Sequence, residues 1–159
     1  MVAFNSTGRH GDIYTIDYQQ QNYLEPVGKA EEMKKGLKFS YYPVSYKSVR
    51  EIKESDVTKQ AITESIEIPV ENTAGSFATR HTGYFYAPET GVYTFFLRSD
   101  DGSMLKIGGN TLVDNDGFHT ATEKTAQIAL RKGYHPFELL FMEGGGGYTL
   151  QLQYESPSE

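Results

Sequence analysis

The sequence predicts an all-β chain, an antiparallel β-sandwich built from many short strands. Three observations carry that reading. Apolar and polar residues alternate with a period of two in one segment after another. Turn residues recur roughly every ten positions between those segments. Gly108-Gly109-Asn110 tolerates positive φ and sits between two apolar runs, Leu105 and Ile107 before it and Leu112 and Val113 after it, as a tight hairpin requires.

Taken in order, Ile13 to Tyr18 reads as one strand. Gln19 to Asn22 and Lys29 to Lys35 are polar and keep no period, so the first 35 residues read as the tail of an upstream β-module plus a linker. Residues 36–159 then form the sandwich. Leu37, Phe39 and Tyr41 open it. Ser48 to Gln60 is charged and reads as a solvated loop or one short helix, followed by a strand carrying Ile66, Ile68 and Val70. The turn Pro88-Glu89-Thr90-Gly91 introduces Tyr93, Phe95 and Leu97. After the Gly108 hairpin, Ala126, Ile128 and Leu130 run into the turn Arg131-Lys132-Gly133. Phe137, Leu139 and Phe141 make the next strand. Tyr148, Leu150, Leu152 and Tyr154 alternate with polar partners in the last one.

Composition narrows the function. The chain has no Cys, which excludes a disulfide framework and a thiolate zinc site. Its 15 Lys and Arg stand against 21 Asp and Glu, a net charge of −6, so no nucleic-acid partner is expected, since phosphate binding needs a basic surface. No apolar run approaches the ~20 residues of a membrane span. Met1 leads straight into Val2-Ala3-Phe4-Asn5 with no export signal, so an exported chain would be an excised piece of a longer one. Enzyme signatures are absent: there is no Gly-x-Ser-x-Gly, no His-Glu-x-x-His and no cysteine nucleophile. The four histidines are scattered and suggest no metal cluster.

The sharpest local feature is Arg98-Ser99-Asp100-Asp101-Gly102-Ser103 between two strands. Neighbouring side chains on a regular strand point to opposite faces. In a sharp turn or across a cis bond Asp100 and Asp101 could instead face one way and chelate a hard cation. The plainer alternative is a hairpin turn whose carboxylates cap backbone amides. Val113-Asp114-Asn115-Asp116-Gly117-Phe118-His119 has two acids before a glycine, but Leu112 stands where a calcium loop of the helix-loop-helix type needs an earlier ligand, and no Glu closes it. It remains an Asx-rich loop with a histidine. Gly144 to Gly147 lacks the Lys-Ser/Thr of a phosphate loop and reads as a hairpin end that lets a ligand or a neighbouring loop come close.

Over residues 36–157 these segments together resemble a PA14 domain. Gly36 to Tyr42 looks like its opening strand, and Phe77-Ala78-Thr79-Arg80-His81-Thr82-Gly83-Tyr84 is similar to its Phe-x-x-Arg-(aromatic)-x-Gly-Tyr segment, with His81 where a large aromatic is usual. Pro88 to Phe95 resembles its turn and strand, and Ser99 to Ser103, Ile107-Gly108-Gly109, Val113 to His119 and the glycine run follow in the family's order. The resemblance implies a β-sandwich. It also implies that Asp100 and Asp101 correspond to an Asp pair, joined by a cis peptide, that in the sugar-binding adhesins holds a calcium ion, which in turn takes vicinal sugar hydroxyls. Those adhesins add ligands, an Asn side chain included, from a late loop. Here that loop is Glu143 to Gly147, which has no Asn and offers Glu143 or backbone carbonyls. Gly8 to Tyr18 with Tyr23 to Val27 resembles the tail of the small module preceding PA14 in some secreted bacterial β-hexosaminidases.

The expectation is therefore a non-catalytic carbohydrate-binding module of an exported, extracellular or periplasmic, glycan-degrading protein. Its partners would be a glycan and the parent's catalytic domain. Asp100 and Asp101 are the expected metal and ligand residues, with Asn115, Asp116 and His119 beside them. The alternative is a structural or protein-contact module that positions the catalytic domain without binding glycan. A third, an enzyme in its own right, needs a deep cleft with separated acids.

Overall fold

A computed structural model describes residues 22–28, 35–68 and 75–158. The strand expected at Ile13 to Tyr18 lies outside them. Nine strands are present among the described residues: β1 (Leu37–Tyr42), β2 (Lys59–Thr63), β3 (Phe77–Ala87), β4 (Gly91–Asp100), β5 (Ser103–Ile107), β6 (Asn110–Asn115), β7 (Thr122–Leu130), β8 (Gly133–Glu143) and β9 (Thr149–Glu155). They form a six-stranded sheet in the order β2-β1-β3-β8-β5-β6 and a three-stranded sheet in the order β7-β4-β9. Every pairing is antiparallel. No helix among them is long and apolar enough to cross a membrane.

The alternating rows of the sequence become the core. Tyr93, Phe95 and Leu97 of β4 face Leu105 and Ile107 of β5, Val113 of β6, and Phe137 and Leu139 of β8, all buried between the sheets. Burying side chains of this size contributes roughly 1.5–3 kcal/mol each.

One strand differs from expectation. The strand at the edge beside β1 is β2, at Lys59–Thr63, while residues 64–68, with Ile66 and Ile68, are bends and irregular chain and Val70 lies outside the described residues. The segment KQAIT lacks an apolar alternation because it is an edge strand, held by its backbone ladder with Ile62 exposed. Ile66 packs against the core without strand pairing. The charged stretch before β2 forms two short 3-10 turns, Val49–Glu51 and Glu54–Asp56, the first capped by Ser48. That stretch covers half of the outward face of the six-stranded sheet. Tyr46 and Val49 pack there on Tyr42, Ala78, Met104, Leu140 and Met142. The C-terminal half of β8 is thus buried on both faces.

The two ends of the sandwich differ. At one end, residues 22–28 lie across the sheets: Leu24 bridges Leu130, its N–H donating to Ala129 and its carbonyl accepting from Arg131. The Leu24 side chain fills the space over Gly108, and Pro157 fills the space over Gly91. Both chain segments therefore meet the sandwich at this end. The opposite end carries the Asp100-Asp101 turn, the loop after β6 and the glycine-rich loop after β8.

Candidate functional site

Three loops converge at the second end, and hydrogen bonds lock them together. The peptide between Asp100 and Asp101 is cis. Asp101 ties its neighbours in: Oδ1 accepts from the His119 amide at 3.0 Å and Oδ2 from the Gly144 amide at 2.9 Å. Gly102 makes the close approach feasible, because a β-carbon there would fall 2.9 Å from the Gly117 nitrogen and 3.0 Å from Met142 Cε. Beneath the pair lies a buried polar floor. Ser99 and Ser103 share a hydrogen bond at 2.7 Å, and the Asn115 amide donates to Ser99 Oγ and to the Thr122 carbonyl.

Glu143 completes the arrangement. It continues the row Phe137, Leu139, Phe141, so the pleat of β8 turns it inward. It is only 2% exposed. Its Oε1 accepts from the Gly145 amide at 2.7 Å, while Oε2 is buried with no donor among the described residues. Carboxylate oxygens of Asp100, Asp101 and Glu143 lie within 4.8 Å of one another. Burial pushes the Glu143 carboxyl above its ordinary value; the Gly145 amide opposes the shift, and the negative charges of Asp101 and Asp100 add to it.

A hard divalent cation fits this donor set. Three carboxylates converge, and one of them presents a buried oxygen that nothing else satisfies, the kind of atom a cation would pair. Each engaged oxygen of Asp101 keeps a second lone pair, so its amide bonds do not block a metal.

The other expected residues surround the acids in different ways. Asn115 is buried in the floor. His119 reaches Asp101 through its backbone, and its ring sits between the carbonyls of Asn115, at 2.9 Å, and Thr120, at 3.0 Å. Asp116 points to the 3-10 segment: Oδ1 accepts from the Val49 and Gly117 amides, and Oδ2 from Ser48 Oγ and Arg50 Nη1. These donors hold its carboxyl below the ordinary value although burial opposes them.

Glu143 entered only through the resemblance, as what the late loop could offer, although an acid on the apolar row of a strand is itself a signal. One residue at this end was not singled out from sequence. It is Phe118, since an aromatic in an Asx-rich loop has no pattern. Its side chain is 57% exposed and its ring covers Gly144, where a β-carbon would come within 2.4 Å of Phe118 Cε1 and 3.0 Å of Asp101 Oδ2. An open aromatic ring thus stands beside the acids. A larger cleft of 690 Å³ opens elsewhere, on the flank between the sheets, lined chiefly by Leu37, Phe85, Phe95, Leu152 and Tyr154. It holds no comparable convergence of acids.

The profile of the PA14 domain matches residues 28–159. No curated protein sequence matches the chain. Among solved structures, the chain is similar to the PA14 sugar-binding domain of an RTX adhesin, with 18% identity, a TM-score of 0.66, and coverage of 79% of this chain and 92% of that one. It is similar to the Epithelial Adhesin 9 A domain from Candida glabrata, determined in complex with Galb1-3GlcNAc, at 15% identity and a TM-score of 0.66, covering 86% and 89%. It also resembles part of the GH31 alpha-xylosidase from Xanthomonas citri, at 12% identity and a TM-score of 0.56, covering 98% of this chain and 15% of that one. At these identities the likeness shows a shared fold.

Proposed function

The chain belongs to the PA14 domain family, and from that premise we propose that it is a non-catalytic carbohydrate-binding module that takes sugar hydroxyls at its acidic loop end. The observation that carries the reading is the buried, unpaired Glu143 Oε2 facing the Asp100-Asp101 pair. Asp100, Asp101 and Glu143 would hold a calcium ion, which supplies open coordination positions for vicinal hydroxyl oxygens. Phe118 offers an apolar ring face for the C–H side of a sugar. Asn115, Asp116 and His119 shape the loops around the acids. The complex of the Candida glabrata adhesin domain with Galb1-3GlcNAc supports the ligand class. The occurrence of this fold within an alpha-xylosidase supports a parent that degrades glycans, and its occurrence in adhesins supports a place outside the cytoplasm.

Calcium should raise the melting temperature, because a ligand that binds only the folded state stabilises it by about 2.7 kcal/mol at a hundredfold excess over Kd, or roughly 5–10 °C for a domain of this size. Asp100→Asn and Asp101→Ala should abolish the increment. On a glycan array, retention should need calcium and disappear with Asp100→Ala. Identical melting curves with and without calcium would remove the metal from the reading. No retention on any glycan would leave the second reading, a module that positions a catalytic domain. Asp101, whose carboxylate clamps two loop amides, favours that alternative.

A further inference from the structure

Residues 43–58 cover one half of the outward face of the six-stranded sheet. On the other half lies a groove of 420 Å³ lined by Arg80, Thr82, Tyr84, Lys106, Pro136 and Glu138. A neighbouring hollow of 250 Å³ adds Lys38, Ser40 and Glu54 and shares Arg80 and Thr82. The strand register places Lys38, Thr82, Glu138 and Lys106 in one row across β1, β3, β8 and β5.

These groups are fixed by one another. Glu138 receives Arg80 Nε at 2.5 Å and Lys106 Nζ at 2.8 Å, and Glu54 takes Arg80 Nη1 at 3.2 Å with Lys38 Nζ at 4.0 Å. Burial alone would raise the Glu138 carboxyl, but Lys106 and Arg80 keep it below its ordinary value and therefore ionised. Beside this lattice stands Tyr84, 48% exposed, and on β3 and β8 the rings of Tyr86 and Tyr134 lean on each other at 45° with a 4.8 Å centroid separation.

We propose that this groove is a second glycan-binding surface, independent of metal, that takes a neutral oligosaccharide laid across β1, β3, β8 and β5. Charge complementarity selects that occupant. Cations and anions are interspersed over the groove and the hollow beside it, so a polyanion meets Glu54 and Glu138 and a polycation meets Lys38, Arg80 and Lys106. An apolar protein surface would strip water from those ion pairs and return no hydrogen bonds to their remaining donors and lone pairs. A sugar hydroxyl both donates and accepts, and so can bridge a guanidinium or ammonium to the adjacent carboxylate, while a tyrosine ring packs on its C–H face. This surface does not depend on the loop end being a calcium site.

The test is amide chemical-shift titration of the full chain in EDTA with soluble β-1,4-linked glucan, galactan and N-acetylglucosamine oligosaccharides, with polygalacturonate as the anionic comparison. At least one neutral oligosaccharide should bind and shift Arg80, Thr82, Lys106 and Glu138. Asp100→Asn should leave that binding unchanged. Tyr84→Ala and Lys106→Met, both at the surface, should each weaken it about fivefold, the loss of one contact, with thermal melting retained. Shifts confined to residues 100–102, 116–119 and 143–147, binding of polygalacturonate alone, insensitivity to both variants, or no binding by any probe would overturn the proposal. Failure of the loop end reads out separately, as the absence of a calcium-dependent melting shift.

Discussion

Glu143 is stabilised badly by the protein alone, and two consequences can be measured. Its raised pKa means that its contribution is fully present while it is protonated, below the ordinary carboxylate range, and is lost as pH rises through the folded-state value. Without metal, Glu143→Gln should therefore raise stability at neutral pH, by about 1 kcal/mol, while removing the calcium increment. Calorimetry in EDTA and in calcium reads both signs; a variant less stable in EDTA would refute the account. His81 works in the opposite direction. It is fully buried against Phe39, and burial lowers its pKa to about 4, with the Glu67 backbone partly opposing. The unfolded chain binds that proton near 6.5, so stability should fall between pH 6.5 and 4 by something on the order of 3 kcal/mol. His81→Phe should flatten that limb of a urea-melt series. Sequence alone drew attention to the Asp pair because two adjacent acids are conspicuous, but left a plain turn as the alternative. The inward turn of Glu143 depends on which face of β8 meets the second sheet, and Phe118 on how two loops cross.

Among the elements, the strands with clean alternation were legible: β4 and β8 bury the row their apolar residues define, β1 buries Phe39 between half-buried Leu37 and Tyr41, and β9 half-buries Leu150 and Leu152 while Tyr154 stays exposed. β2 was not, since an edge strand paired on one side needs no apolar row. The 3-10 segment over the outer sheet was read as solvated because its charges dominate, whereas Tyr46 and Val49 within it are buried. Asp116 pins that segment with a side chain only 8% exposed. Asp116→Ala strands the Ser48, Val49 and Arg50 donors and should lower stability by about 2–3 kcal/mol, with the calcium increment intact. If Asp116 instead touches the ion or the sugar, the increment will vanish with it. In the glycine-rich loop, Gly144→Ala would push its methyl into the Phe118 ring. Glycan retention should then weaken more than the thermal response to calcium, which paired array and melting measurements can resolve.

At the scale of the molecule, Leu24 and its neighbours form a strap at the end away from the acids. Leu24→Ala should reduce stability by about 1–2 kcal/mol through lost apolar contact and leave the calcium response unaltered, because distant sites add independently. A changed calcium response would mean that the two ends communicate. β4 alone, at 10 residues, separates those ends by roughly 30 Å at ~3.3 Å per residue. Since residues 22–28 and Pro157 pack at the same end of the sandwich, the domain is built like a plug-in cartridge. It could be spliced into a surface loop of an unrelated carrier with little stretching of the host backbone, and its acidic tip would project outward like a probe on a short stem.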